Sequence, residues 1–436
     1  MAVKLTHIKQ TQVYIYKIML KEVRIENYKS IQKLKLELGR VTVLIGENGC
    51  GKSNILEAIA LASAAADDKL DNEFLASRGI RVTEPQLMRS AFESENLEKE
   101  IKIDIKGNDE EKFNFILQNH NSPYSQWMDI NSQKYITASL VENLTILNEN
   151  YTKKYLENEL QLQQLDEFKK LLSPDKLKTV LKDLHSLLRS QEEEILKLEQ
   201  EKLKLQIQKK IFSLRFYLLK FTIYSPENQA LRTFEKEGQI QPLGINGEGL
   251  FKLLKFLNSD HQDQLNEIKK KLQLIDWFQD FEAPPNLSNI QNSLQIKDRY
   301  LDPDLAYFDQ RSSNEGFLFL LFYFALFISD ITPKFFAIDN IDASLNPRLC
   351  RRLIQELVEL AKKHDKQVIF TTHNPAVLDG LDLDDDEQRL FVIYRNQLGH
   401  TKARRILKPK PLEGQEPVRL SEAFLRGYIG GLPKNF

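Results

Sequence analysis

The sequence predicts a mixed α/β fold with a long helical insertion. Short apolar runs bounded by turns alternate with helical patterns on both sides of residues 140–220. The intervening residues are rich in leucine, lysine, glutamate and glutamine and contain no glycine. A glycine-rich turn also joins an early apolar run to a helical pattern. Together these patterns predict a sheet with parallel strands, flanking helices and a helical excursion between its two halves.

The bulk composition is ordinary for a globular protein. The 436 residues are 42% hydrophobic and 28% charged, with a formal net charge of −1. This balance does not favour nucleic-acid binding by the molecule as a whole. We therefore expect any DNA contact to come from a local patch or through a complex with a partner.

Cysteine usage and hydropathy favour a cytoplasmic protein. Only Cys50 and Cys350 are present and no signal-peptide pattern is seen, so we expect a reducing cytoplasm and no cysteine-based zinc site. The longest apolar run, Phe317–Ser329, is shorter than the roughly 18 residues that indicate a membrane helix. A buried core helix is the expected structure, without membrane association.

Several strands are predicted before residue 120. Apolar residues from Leu20 to Ile25 and from Ile31 to Leu38 flank the turn Asn27–Ser30, and the run Val41–Ile45 follows. The alternation in residues 100–118 predicts a hairpin.

The run Val41–Ile45 leads into the pattern of a phosphate-binding loop, or P-loop. Glycines let the backbone fold around phosphate oxygens at the positive end of the following helix. Lys52 would reach the terminal phosphates of a nucleotide, and the Ser53 hydroxyl would hold Mg²⁺. The residues expected to surround the phosphates are Gly46, Glu47, Asn48, Gly49, Cys50, Gly51, Lys52, Ser53 and Asn54.

Cys50 lies inside this loop at a helix N-terminus. That position predicts a lowered thiol pKa and a redox-sensitive site. The alternative is a small residue tolerated at a variable loop position.

The glycine-free region predicts two long helices, at 140–172 and 175–220, joined at Ser173-Pro174. Leucines at alternating spacings of three and four predict an antiparallel, coiled-coil-like hairpin, although a helical subdomain packed on the body remains an alternative.

After the insertion, Lys220–Tyr224 predicts a strand, and Pro242–Gly249 predicts a loop that leads into a short helix at Leu250–Leu257. Residues 261–295 read as a polar helical stretch interrupted at Pro284-Pro285.

A second apolar strand, Phe335–Ile338, ends in Asp339, whose carboxylate can reach Mg²⁺ through water. Asn340 follows. An amide orients water but cannot accept its proton at neutral pH, so hydrolysis would be slow or would depend on another group.

A third apolar strand, Gln367–Phe370, leads into Thr371–Pro375. Ligands bind at the carboxyl ends of strands in open α/β sheets, so we expect the neutral ring of His373 to contact the γ-phosphate.

The order of these segments resembles the ABC-type ATPases of the SMC, RecF and overcoming-lysogenization-defect group. The resemblance implies an ABC-type P-loop ATPase head that binds ATP and Mg²⁺ and dimerises head to tail. It makes Lys52, Asp339, Asn340 and His373 catalytic residues and Ile341–Ala343, with Asp342, the D-loop.

The same resemblance places the signature loop, which contacts the γ-phosphate of the opposite subunit, at Ser312–Gly316. Its nucleotide contacts would be Ser313, Asn314 and Gly316. The chain departs from the family pattern at Asn340, where hydrolysing members carry a glutamate, and at Asn314, which occupies the place of a serine. Gln86 is a weak candidate for the Q-loop.

The stretches YSPEN, PLGINGEGLFKLL and IDNIDASLNPRLCRRL look more narrowly like PtuA, the ATPase subunit of Septu-type anti-phage systems. That likeness implies a separate HNH nuclease partner, PtuB. The 7 histidines of this chain are scattered, so we expect any nuclease activity on the partner.

We expect four parts. They are an N-terminal ATPase lobe at 1–139, the helical hairpin at 140–220, a C-terminal ATPase lobe at 221–400 and a tail at 401–436 that could dock a partner. Two functions compete: an ATP switch that regulates a nuclease in phage defence, and a DNA-repair or chromosome-maintenance ATPase that clamps DNA. A scaffold with a vestigial site is a third possibility.

Two charged runs lie near the tail. The acidic run Asp382–Glu387 invites a metal interpretation but suits a solvated loop. The basic run Lys402–Lys410 is a candidate surface for DNA or an acidic partner, or a solvated strand end.

Overall fold

A computed structural model of the chain describes residues 18–108, 112–122, 125–131, 197, 200–201, 214–233, 242–283, 293–305, 307–408 and 418–432. The predicted helical hairpin lies almost entirely outside these residues.

The strands of the described residues are β1 (Glu22–Tyr28), β2 (Ile31–Glu37), β3 (Val41–Ile45), β4 (Ile101–Lys106), β5 (Lys112–Gln118), β6 (Met128–Asp129), β7 (Ile223–Tyr224), β8 (Phe278–Glu282), β9 (Gln295–Asp298), β10 (Tyr307–Asp309), β11 (Phe335–Ile338), β12 (Gln367–Thr372), β13 (Gln388–Arg395) and β14 (Thr401–Ile406).

The helices of the described residues are α1 (Lys52–Ala66), α2 (Asn72–Ser77), α3 (Pro85–Met88), α4 (Asn228–Thr233), α5 (Leu250–Asp260), α6 (Gln262–Leu272), α7 (Glu315–Ile328), α8 (Pro347–Lys363) and α9 (Leu420–Leu425). Residues 214–219 are also helical. Short 3-10 turns lie at Ser94–Leu97, Pro303–Leu305 and Pro375–Gly380.

A six-stranded sheet in the order β14-β13-β3-β12-β11-β7 forms the centre of the fold. Its neighbours pair in parallel except β13 and β14, which are antiparallel. Strands from both halves of the chain therefore share one sheet, and the mixed α/β fold class is confirmed. The loops after β3, β11 and β12 leave the sheet at the same edge, because parallel strands end on the same side.

The second sheet is antiparallel, in the order β2-β1-β4-β5-β6. Its strands alternate buried and more exposed side chains, because one face packs on the core. The predicted turn Asn27–Ser30 and the predicted hairpin at 100–118 are confirmed here.

A third sheet, β10-β9-β8, corrects the sequence prediction for residues 261–295. Among the described residues of this stretch, the predicted helix is present as α6, and strands β8 and β9 follow it. Phe278 and Phe281 are fully buried, and the Phe278 ring lies 5.4 Å from that of Phe317 on α7. This long-range aromatic packing outweighs the local helical pattern. The strand predicted at Lys220–Tyr224 is shorter, with only Ile223–Tyr224 paired.

Apolar side chains pack on both faces of the central sheet. On β3, Val41, Val43 and Ile45 join one core cluster and Leu44 joins the other. Helix α7 is buried from Phe317 to Ile328, which confirms the predicted core helix. Within the described residues, no helix is both long and apolar enough to cross a membrane.

The charged runs form ion pairs with one another and with α8. Lys408 pairs with Asp384, Arg405 with Asp386 at 3.3 Å, and Lys362 with Asp385 at 2.5 Å. Two of these pairs join the basic run to the acidic run, and Asp385 pairs with α8 instead, as exposed surface charges commonly do. Residues 401–406, which the sequence prediction assigned to the tail, form the edge strand β14.

Candidate nucleotide-binding site

The P-loop connects β3 to α1 with the backbone packed tightly against neighbouring strands. A β-carbon at Gly46 would lie 2.1 Å from the Ile393 carbonyl oxygen of β13. At Gly51, where φ is 105°, a β-carbon would lie 2.1 Å from the Thr401 hydroxyl oxygen. Both positions require glycine because the backbone approaches its neighbours too closely for a side chain.

Lys52, the first residue of α1, folds back over the loop. Its Nζ donates to the carbonyl oxygens of Gly46 at 2.9 Å and Glu47 at 3.0 Å. Burial lowers the pKa of Lys52, while the carboxylate of Asp339 acts in the opposite direction. The ammonium is thus held at the mouth of the loop, where phosphate oxygens can replace the carbonyl partners.

Ser53 and Asp339 meet across the carboxyl edge of the sheet. The Ser53 hydroxyl donates to Oδ2 of Asp339 at 3.0 Å, and the Thr371 hydroxyl donates to Oδ1. Mg²⁺ prefers oxygen ligands and binds through one or two protein groups together with phosphates and water. This pair of oxygen donors beside the P-loop fits Mg²⁺, and Ser53 and Asp339 are the residues that would hold it.

Asn340 adopts the left-handed backbone region, with φ of 56°. Its N–H donates to the Thr371 hydroxyl at 2.9 Å, which orients the turn after β11. Asparagine tolerates this conformation better than most residues because its short polar side chain bonds locally. Its exposed side chain lines the phosphate side of the site as an amide rather than a carboxylate.

His373 follows β12 and reaches the same space. Burial and the neighbouring Lys52 ammonium lower the pKa of His373, so its ring is neutral at pH 7. One residue earlier, the Thr372 hydroxyl donates to Oδ1 of Asp342 at 2.6 Å, which ties the predicted D-loop to the strand that carries His373.

These residues surround a cavity of about 300 Å³, which we call the phosphate cavity. It is lined by Asn48, Gly49, Gly51, Lys52, Ser53, Asn54, Arg81, Asn340, His373 and Arg395. Sequence reasoning did not find Arg81 or Arg395. Arg395 donates from Nε to the Gly49 carbonyl at 2.8 Å, and no local motif marks either arginine.

A second cavity of about 400 Å³ adjoins the first, and we call it the outer cavity. It is lined by Lys29, Ser30, Asn54, Arg81, Thr83, Leu87, Arg89, Ala91, Phe92 and Arg395. Asn54, Arg81 and Arg395 line both cavities, so the two spaces share one wall. Gln86, the weak Q-loop candidate, is exposed on α3 and is absent from both linings.

A buried carboxylate supports that shared wall. Glu57 on α1 is 1% exposed and accepts from Nε of Arg81 at 2.6 Å, from the Tyr28 hydroxyl at 3.2 Å and from Lys29. Arg81 also donates to Oδ1 of Asn54 at 3.2 Å. Charge-assisted bonds of this kind hold both cations in place.

The predicted signature residues lie at the start of α7. Asn314 caps this helix by accepting from the Phe317 N–H at 2.8 Å, and Ser313 is buried. A β-carbon at Gly316 would lie 3.5 Å from Leu345 and from the Ser344 carbonyl. The structure thus groups this loop with the segment after the D-loop, whereas Lys52 and His373 line the phosphate cavity.

The prediction for Cys50 is wrong. Its side chain is 1% exposed, and burial raises the pKa of the thiol despite the neighbouring Lys52 ammonium. Desolvation disfavours the thiolate more than the local positive charge favours it. The position therefore suits a small buried residue, the alternative stated above.

Comparison with known proteins gives three kinds of match. Residues 41–379 match the family described as "AAA domain, putative AbiEii toxin, Type IV TA system". The uncharacterized protein MJECL10 of Methanocaldococcus jannaschii is 30% identical over 113 residues, which are 24% of this chain and 50% of that protein. The chain thus spans about half the length of this curated relative.

Solved SMC head domains also match. The Pyrococcus furiosus Smc head with an extended coiled coil, bound to the C-terminal domain of ScpA, gives a TM-score of 0.44 at 15% identity, covering 89% of this chain and 96% of that one. The SMC head domain from Thermotoga maritima gives a TM-score of 0.41 at 15% identity, and the match covers 89% of this chain and 98% of that one.

The family match covers well over half of the 436 residues, including the P-loop, Asp339 and His373. The chain therefore belongs to this family of AAA-type P-loop ATPase domains.

Proposed function

We propose that this chain binds ATP with Mg²⁺ and uses the nucleotide mainly as a conformational ligand. The observation that carries the proposal is the convergence of Lys52, Ser53, Asp339 and His373 on the phosphate cavity. Lys52 would bind the terminal phosphates, Ser53 and Asp339 would hold Mg²⁺, and the neutral His373 ring would contact the γ-phosphate.

The outer cavity extends the site towards the nucleoside. A triphosphate that fills the phosphate cavity points its ribose and base past Arg81 and Arg395, which line both spaces. Phe92 offers an exposed aromatic ring there, next to the Arg395 guanidinium at 5.8 Å. Aromatic rings and arginine planes both stack on bases.

The amide side chain of Asn340 is the reason to expect slow ATP hydrolysis. Proton abstraction by a positioned base contributes about 10²-fold to 10⁴-fold in rate, and an amide cannot supply it. ATP binding can still shift a conformational equilibrium if the nucleotide prefers one of the two states. A head-to-tail dimer would provide those states, with the loop Ser312–Gly316 of one subunit on the nucleotide of the other.

The biological setting we propose is anti-phage defence, with a separate HNH nuclease of the PtuB kind as the regulated partner. Its support is the sequence likeness to the Septu ATPase PtuA at the stretches named above. DNA would then be contacted through the complex. The competing function, a DNA clamp of RecF or SMC type, is supported by the order of the sequence motifs, which resembles that of the SMC and RecF ATPases.

The enzymatic part is tested by ATP turnover of the purified chain and its Asn340→Glu variant. We expect slow turnover by the natural chain, well below the roughly 10 s⁻¹ of a median enzyme, and a rise of about tenfold or more in the variant. Asn340→Asp is the control for backbone strain, because aspartate, like asparagine, tolerates the left-handed conformation at this position. Fast turnover by the natural chain that Asn340→Glu fails to raise would contradict the proposal.

The partner is tested first by asking whether a neighbouring gene encodes an HNH protein, and then by co-expressing that protein with this chain and purifying through a tag on either protein. A stable complex whose DNA cleavage changes with ATP supports the switch. Tight, salt-sensitive duplex binding by the chain alone, without a nuclease complex, would favour the DNA clamp instead.

A further inference from the structure

The segment Arg419–Leu432, which we call the C-terminal strap, packs across the edge of the central sheet beside the P-loop. It contains α9 and a turn with Gly427, Gly430 and Gly431. Ala423, Phe424 and Ile429 are buried in the same core cluster as alternate residues of β3. The strap is therefore part of the ATPase body.

One end of the strap is bonded to the turn that follows His373. The N–H of Ser421 donates to Oδ1 of Asp379 at 3.0 Å, and its hydroxyl donates to Oδ2 at 2.7 Å. Asp379 lies in the 3-10 turn Pro375–Gly380, which begins two residues after His373. Two bonds to one carboxylate fix the position of this turn relative to α9.

The other end of the strap touches the start of the P-loop. Gly431 has φ of 87°, and a β-carbon there would lie 2.8 Å from Val392 Cγ1, 3.1 Å from Phe424 Cε2 and 3.7 Å from the α-carbon of Gly46. Val392 belongs to β13 and pairs with Ile45, the last residue of β3. Arg404 on β14 donates to the Ile429 carbonyl, which attaches this end of the strap to the central sheet.

We propose that the C-terminal strap is a positioning element that fixes the P-loop and the His373 turn relative to each other. Gly431 is the critical contact, because a β-carbon there would lie 2.8 Å from Val392, which pairs with Ile45, the residue before the P-loop. Ser421 is the matching contact on the His373 side. This role rests on the proposed function, since it assumes that both loops contact the same nucleotide.

The test compares two glycine-to-alanine substitutions in the strap by the affinity of the full-length protein for Mg²⁺-ATP. Gly431→Ala introduces strain at positive φ together with a close contact to Val392 of β13. Gly427→Ala introduces the same strain at φ of 75°, but its β-carbon would meet only Leu432 at 3.8 Å. Equal melting temperatures in the two variants would show that the two substitutions destabilise the folded protein to the same extent.

We expect Gly431→Ala to bind ATP about tenfold more weakly than Gly427→Ala. Ser421→Ala should also weaken binding, and Ser421→Thr, which keeps the hydroxyl, should restore it. Equal ATP affinity in the two glycine variants would overturn the proposal. Failure of the unsubstituted protein to bind ATP would instead overturn the proposed function, so the two failures are distinguishable.

Hydrogen exchange of the natural protein provides a measurement that does not depend on the variants folding. The N–H groups of Ala423, Arg426, Gly427, Tyr428 and Gly430 all form backbone hydrogen bonds within the strap. We expect Mg²⁺-ATP to slow their exchange, because a nucleotide that rigidifies the P-loop also stabilises the strap. Unchanged exchange at saturating nucleotide would overturn the proposal.

Discussion

The phosphate cavity and the outer cavity share a wall but are built differently. The first takes most of its lining from Asn48–Asn54, a single continuous stretch, and adds Asn340 and His373 from strand ends. The second draws its lining from the turn after β1, from residues 81–92 and from Arg395 at the end of β13. Apart from Asn54, no part of the P-loop lines it.

The two cavities differ in which groups would provide the binding energy for a nucleotide. Phosphates are bound largely by backbone N–H groups and one lysine, so a short motif can encode that site. The outer cavity depends on side chains whose positions are set by other residues, above all by buried Glu57. Substitutions should therefore have large, direct effects in the first cavity and smaller, indirect ones in the second.

The largest effect is expected for Lys52→Ala in the phosphate cavity. Removing the ammonium eliminates the charge-assisted bonds to the terminal phosphates, a loss of about 3 kcal/mol or roughly 100-fold in ATP affinity. Titration calorimetry checks this, with Lys69→Ala as the control because Lys69 is exposed and lies beyond α1. A loss smaller than about fivefold would mean that the phosphates bind elsewhere.

A middle-sized effect is expected for Glu57→Gln beneath the shared wall. The amide keeps the shape of the side chain but no longer pairs with Lys29 and Arg81, which should loosen the wall and weaken ATP binding about tenfold. Unfolding in urea should also show a loss of about 1–3 kcal/mol, because a buried network is left half satisfied.

Glu73→Gln is the matched control for Glu57, since Glu73 is exposed on α2. If Glu57→Gln lowers stability without changing ATP affinity, the carboxylate supports the fold alone and the two cavities are independent.

The smallest effect is expected for Phe92→Ala in the outer cavity. Loss of one stacking ring should weaken ATP binding about threefold to tenfold, while the affinity for inorganic triphosphate should stay the same. Competition against a fluorescent nucleotide measures both ligands, and Phe256→Ala, on α5, is the control ring. Equal losses for ATP and triphosphate would show that the outer cavity does not hold the base.

Local chemistry explains why much of the fold was predictable. β1 and β2 alternate apolar with polar residues, β3, β11 and β12 are short, mostly apolar strands, and α7 is too apolar to lie anywhere except in the core. The helix predicted over 261–295 was wrong around Phe278, whose ring packs against Phe317 of α7 and against Phe281. A local periodicity contains no information about such distant partners.

The candidate site divides in the same way. Lys52, Ser53, Asp339 and His373 could be named from motif position, because each follows a recognisable strand. Arg81 and Arg395 could not, since their role depends on Glu57 and on the Gly49 carbonyl. The predicted pKa shift of Cys50 was wrong because the sequence shows the neighbouring Lys52 charge but does not show that the thiol is buried.

Short stretches of sequence were enough to identify the P-loop, the strands that end in Asp339 and precede His373, and the amide at Asn340. Each of these is encoded in a few neighbouring residues whose chemistry is local. Three features depend on the folded chain: Glu57 holds two cations beside the site, an outer cavity adjoins the phosphate cavity, and Gly431 packs against Val392 beside the P-loop. These features join residues that lie from about 24 to several hundred positions apart, and close packing specifies them only when the whole fold has formed.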